Sequence, residues 1–107
     1  MRTRFAPALL PLLLPRAPAQ ADEVSEGRAL VEANCSSCHA IGMDDTSPLP
    51  AAPPFRELHR RYDVALLSEA LVEGIVTGHP EMPQFEFEPN EAQAIISYLR
   101  SLETDAK

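Results

Sequence analysis

Five residues, Cys35-Ser36-Ser37-Cys38-His39, limit what this chain can fold into more than any other feature. The pattern C-x-x-C-H is the attachment site of a c-type haem. The chemistry sets the spacing. Two thiols add to two vinyl groups on one edge of the porphyrin. The histidine after the second sulfur is carried under the iron, where its imidazole becomes an axial ligand. A chain with this motif has to fold around a flat pigment that it cannot release. Other uses of a C-x-x-C pair fit less well. A thioredoxin-like redox motif sits beside a βαβ pattern, and none is visible. A structural zinc needs four ligands, whereas the chain has 2 cysteines, and His59 and His79 lie far off at irregular spacing. A local Cys35–Cys38 disulfide is the plain alternative in an oxidising compartment.

The N-terminus points to such a compartment. Arg2 and Arg4 form a positive start, Ala6 to Leu14 is a short apolar run broken by Pro7 and Pro11, and both Ala17-Pro18-Ala19 and Ala19-Gln20-Ala21 fit the A-x-A cleavage pattern. The run is well short of the ~20 residues that a membrane-spanning helix needs. Residues 1–21 are therefore expected to be a signal peptide, cleaved after Ala19 or Ala21, and residues 22–107 to be one monohaem domain. The leader holds three of the 9 basic residues and none of the 16 acids, so its removal takes the net charge from −7 to −10. A domain so acidic repels nucleic acid and anionic membrane surfaces and favours a partner with a basic docking face. It is also close to the size at which a hydrophobic core alone becomes marginal. It has no tryptophan, and its two cysteines are already committed to the motif. A buried haem would fill its middle.

The periodicity predicts an all-α fold. A first helix is expected over Asp22–Asn34, with Val24, Leu30, Val31 and Ala33 apolar and Ser25 or Asp22 as N-cap. Gly27 interrupts it, and a glycine there suggests a close helix crossing. Residues 40–54, rich in prolines, form a loop long enough to wrap a haem edge. A short helix over Phe55–Arg61 is expected next. A second good helix follows over Asp63–Glu73, capped by Asp63 and closed by Gly74 or Gly78. Residues 77–88 are irregular. The strongest pattern lies over Pro89–Glu103, with Pro89 at the first helical position and Ala92, Ile95, Ile96, Leu99 and Leu102 on one face.

The far side of the iron needs a second ligand. Met43 is too close to His39 to pass round the ring, which leaves Met82, His79 and His59. Met82-Pro83 lies in an extended segment between two helices that can lay a thioether on iron. On chemistry alone His79 competes, and core packing is what most methionines do.

With these residues in view, the chain resembles a class I bacterial cytochrome c with its signal peptide. Gly27 matches the family glycine of the N-terminal helix, and Tyr98 the aromatic residue that packs over it from the C-terminal helix. Cys35, Cys38 and His39 match the haem motif. Pro53 in Pro53-Pro54-Phe55 looks like the proline whose carbonyl accepts a hydrogen bond from the axial histidine, with Pro48, Pro50 and Pro54 as rivals. Met82-Pro83 matches the sixth-ligand segment. The resemblance implies crossing terminal helices wrapped, with further helices and loops, around one covalent haem c. It also implies Met82 rather than His79 on the iron, and a monomeric periplasmic carrier of single electrons between redox partners. A small subunit of a larger dehydrogenase or oxidase is the alternative, and an open-site haem enzyme or sensor a more distant one. Two features depart from the family pattern. Val31 stands where an aromatic residue often precedes the motif, and the lysine ring of mitochondrial carriers is absent.

Overall fold

The computed structural model describes residues 3, 19–74 and 81–104, and the predicted leader lies almost wholly outside them, as do His79 and Gly78. The described residues contain helices and loops and no strand. Helix α1 runs Ala19–Asn34, α2 Leu67–Glu73 and α3 Pro89–Ser101; 3₁₀ turns occupy Phe55–Arg60 and Val64–Leu66. The fold is that of a small all-α protein.

Two expectations for α1 need correction. The helix begins at Ala19, so Asp22 and Ser25 lie inside it rather than at its cap. Alanine is the best helix former, and Ala19 and Ala21 extend the helix past the expected start. Ala33 is exposed, because it stands two residues, about 200°, from the fully buried Val31 and so faces the other way.

Helix α1 meets α3 at Gly27. A Cβ on that residue would stand 1.9 Å from the carbonyl oxygen of Ala94 and 3.0 Å from Cβ of Tyr98. Those atoms leave no room for a side chain, which is why the crossing takes glycine. Alongside it the Ser97 hydroxyl donates to Glu23 Oε1 at 2.9 Å, across the two helices. Helix α3 supplies much of the core: Ala92, Ala94, Ile95, Ile96, Tyr98 and Leu99 are all buried. Its start is fixed by Pro89 and by a reciprocal capping box between Glu88 and Glu91.

The middle helix is shorter than its pattern suggests. Asp63 Oδ1 accepts from the Ala65 amide at 3.0 Å, but the turn it caps is 3₁₀, and α-geometry starts only at Leu67. Helix α2 ends at Gly74, whose φ of 101° is open to glycine at no steric cost. Val64 and Leu71 face the core with Phe55 and Leu58 from the preceding 3₁₀ turn.

Candidate haem site

The C-x-x-C-H motif continues the hydrogen bonding of α1 as a tight turn. The Cys35 amide donates to Val31 O at 2.8 Å, and both the Cys38 and His39 amides return to Cys35 O, at 3.2 and 3.0 Å. This turn sets both thiols and the imidazole on one wall of a cleft. Leu49, Ala51, Ala52 and Pro53 extend that wall, and Glu81, Met82, Pro83 and Phe85 line the cleft from the segment before α3. The cleft is lined mostly by apolar groups, with the two thiols and the imidazole among them.

His39 is held on several sides. Its Nδ1 lies 2.8 Å from Pro53 O. A carbonyl can only accept, so Nδ1 carries the proton and Nε2 is left with the lone pair that a metal requires. The ring packs against Phe55 at a centroid distance of 4.6 Å. The flanking backbone is tied as well. Leu49 N–H donates to Cys38 O at 3.1 Å, Phe55 N–H to Ala40 O at 2.9 Å, and the buried Ala40 N–H to Ser47 Oγ at 2.9 Å. Of the loop's prolines, Pro53 is the one whose carbonyl meets the imidazole. The register of the Ala40–Phe55 pairing decides this, and sequence alone left four prolines open.

The two thiols are free. Burial pushes the Cys35 thiol up to about 11, so at neutral pH it is a neutral, apolar wall group. The residues fit a covalently held haem: two unpaired thiols at the required spacing, an imidazole with one nitrogen available, and a mainly apolar cleft. Of the rival ligands, Met43 is exposed, and neither it nor His59 lines the cleft.

Sequence reasoning missed the parts that Ser47 and Arg56 play around this site. Asp45 accepts from the Ile41 and Gly42 amides at 3.1 and 3.0 Å, and Arg56 bridges back to the same loop. The Asp45 carboxylate is thus committed internally and does not line the cleft. Only the Asp-Asp pair after Gly42 hinted at a turn here.

A helical fold with a C-x-x-C-H wall on an apolar cleft defines a protein built to hold one covalent haem. Comparisons with known proteins agree. Residues 22–99 match the model of a family described as cytochrome C oxidase, cbb3-type, subunit III. Cytochrome c-552 of Bradyrhizobium diazoefficiens is 32% identical over 84 residues, 78% of this chain and 79% of that protein. A cytochrome c-553-like protein of Synechocystis sp. is 31% identical over 80 residues, 75% of this chain and 70% of that protein. No solved structure matches the chain. The chain belongs to this family of c-type cytochromes, as a small monohaem class I cytochrome c: an electron-transfer haem protein with covalent haem c, not an enzyme. Among the described residues no helix is long and apolar enough to cross a membrane.

Proposed function

We propose that the protein is a periplasmic carrier that passes single electrons between redox partners, with His39 and Met82 as axial ligands. Cys35 and Cys38 would hold the haem by thioether bonds, and Pro53 would fix the His39 tautomer. The observation that carries this reading is the shared cleft, with Cys35, Cys38 and His39 on one wall and Met82 on the segment that also lines it. When bound, the haem supplies an iron that gains and loses one electron. The chain's own residues do the rest. His39 presents Nε2 with its proton fixed on the other nitrogen. Met82 offers a thioether, which favours the reduced state. Leu49, Ala51, Ala52 and Phe85 keep the site apolar. Export would follow from residues 1–21, cleaved after Ala19 or Ala21, and the mature domain would be a monomer. Its partner would carry a basic face, since Glu81, Glu86 and Glu88 are exposed beside Met82. A second reading, a cytochrome subunit within a larger oxidase, is favoured by the description of the matching family.

The test is protein made with haem-maturation machinery. Its mass should rise by one haem that survives acid and organic solvent. Met82→Ala should then lower the potential by on the order of 0.1–0.2 V, a fraction of the ~0.8 V range that axial ligands span, and admit carbon monoxide to ferrous iron. His79→Ala should do little. An unchanged mass with a Cys35–Cys38 disulfide would refute the haem site, and a spectrum altered by His79→Ala but not by Met82→Ala would reverse the ligand assignment. Co-purification of the untagged protein with a large redox complex would favour the subunit reading.

A further inference from the structure

We propose that Arg56 is a positioning residue for the axial imidazole: its clasp on the 41–45 turn holds the Pro53 carbonyl against His39 Nδ1 and thereby tunes the iron's potential. Two short arms of chain run side by side here, joined by successive rungs. His39 Nδ1 meets Pro53 O at 2.8 Å. The Phe55 amide donates to Ala40 O at 2.9 Å. Arg56 closes the outer end, with Nη1 donating to Asp45 O at 2.8 Å and Gly42 O at 3.3 Å and lying 3.6 Å from Asp45 Oδ1. The anchor itself is held in place. Asp45 accepts from the Ile41 and Gly42 amides, and the Tyr98 hydroxyl donates to Ile41 O at 2.5 Å, which ties the turn to α3.

Pro53 and Pro54 make the connection stiff. Their rings fix φ, and Pro54 is extended at φ −62° and ψ 138°. A shift at Arg56 is therefore carried to the Pro53 carbonyl rather than absorbed between them. The ion pair by itself is a poor reason for the arrangement, since Asp45 is half exposed and such pairs contribute little to stability. The carbonyl on the ligand's second nitrogen matters more, because it sets the ligand's basicity. With a strong Nδ1–H···O bond the imidazole donates more electron density and favours ferric iron.

The sign of the effect separates positioning from simple charge. Loss of a nearby cation favours ferric iron and lowers the potential. Loss of the clasp weakens the Nδ1–H···O bond, favours ferrous iron and raises it. In the haem-loaded protein, Arg56→Gln should raise the ferrous-to-ferric ratio at fixed applied potential about threefold, or ~28 mV at 59 mV per tenfold for one electron. The His39 Nδ1 proton should also exchange faster with solvent. The charge-balanced pair Arg56→Gln with Asp45→Asn should raise the potential too, whereas Arg100→Gln, which breaks the separate Asp63 pair, should not. If Arg56→Gln does not accumulate, Arg56→Lys keeps the charge with shorter reach and should shift the potential upward by less. A lowered or unchanged potential in the variant measured overturns the proposal, even if stability falls. The inference rests on His39 as an axial ligand, so His39→Ala is measured alongside. An unaltered haem spectrum there sinks the ligand assignment. An altered one, with no upward shift from Arg56→Gln, sinks only the clasp.

Discussion

The two walls of the haem cleft are built differently. The His39 wall is tied on both sides of the histidine by backbone bonds from Leu49 and Phe55 and by the Ser47 hydroxyl, and by the Pro53 carbonyl on the ring itself. The Met82 wall has, among the described residues, one backbone bond to the rest of the fold, from the Phe87 amide to Leu71 O at 2.9 Å. Phe87 also packs against the core, and Phe85 stacks on it within the segment, with centroids 5.5 Å apart. One wall is organised by the polypeptide. Among the described residues, the other is held mainly at Phe87, through its ring on the core and its amide on Leu71. An electron carrier with His39 as an axial ligand would gain from this division, because a fixed histidine keeps its geometry in both oxidation states.

The largest expected effect comes from removing the filler. A haem-free chain with both motif cysteines changed to serine should lose most of its far-UV helical signal and melt without a cooperative transition. The apolar cleft would then have nothing to close on, and haem binding free energy acts as folding free energy. A sharp melt in that sample would show that the His39 wall suffices alone.

Next in size is Gly27→Ala. The new Cβ meets backbone atoms of Ala94, so α1 and α3 must part, and Tyr98 is drawn away from Ile41 O. Denaturant unfolding of the haem-loaded protein should show a loss on the order of 3 kcal/mol. A neutral outcome would mean that the crossing contributes little to the His39 wall.

Ser47→Ala should cost about 1–2 kcal/mol, because it strands the buried Ala40 N–H beside the histidine. Hydrogen exchange should quicken at Ala40 and stay unchanged at Phe87. Equal quickening at both would erase the distinction between the walls.

The smallest effect concerns docking on the Met82 side. Reversal of charge at Glu81 and Glu86 should slow association with a basic redox partner about two- to fivefold at low salt. The difference should fade as the Debye length shrinks to ~8 Å. The same change at Glu103 should matter less. Stopped-flow rates that are flat or rise with salt would assign these acids to solubility and docking to apolar contact.

Helix α3 was legible because every signal on it agreed: Pro89 at the start and an apolar stripe at helical spacing, with Ala92, Ile95, Ile96 and Leu99 all buried. The start of α1 was not, because capping residues compete with alanines that carry a helix further. The 3₁₀ character of Val64–Leu66 escaped for a related reason, since an apolar period cannot tell a tight turn from the first turn of an α-helix. Of the site, the thiols and imidazole were legible from local spacing. The clasp of Arg56 on Asp45 was not, since the two stand eleven positions apart and no periodicity links them.

The sequence by itself determined the chemistry of the haem wall. Covalent order puts Cys35, Cys38 and His39 on a single turn, and bond lengths leave little freedom over five residues. A glycine inside the first helix pointed to a close crossing with some other helix, and the structure shows that the partner is α3. Only the tertiary structure decided which of four prolines reaches the imidazole, which carboxylate is spent on a turn, and which groups fix the second nitrogen of His39. Those outcomes depend on the path of the 40–54 loop. That path is set by the sum of many weak contacts with distant parts of the chain, and no local pattern encodes such a sum.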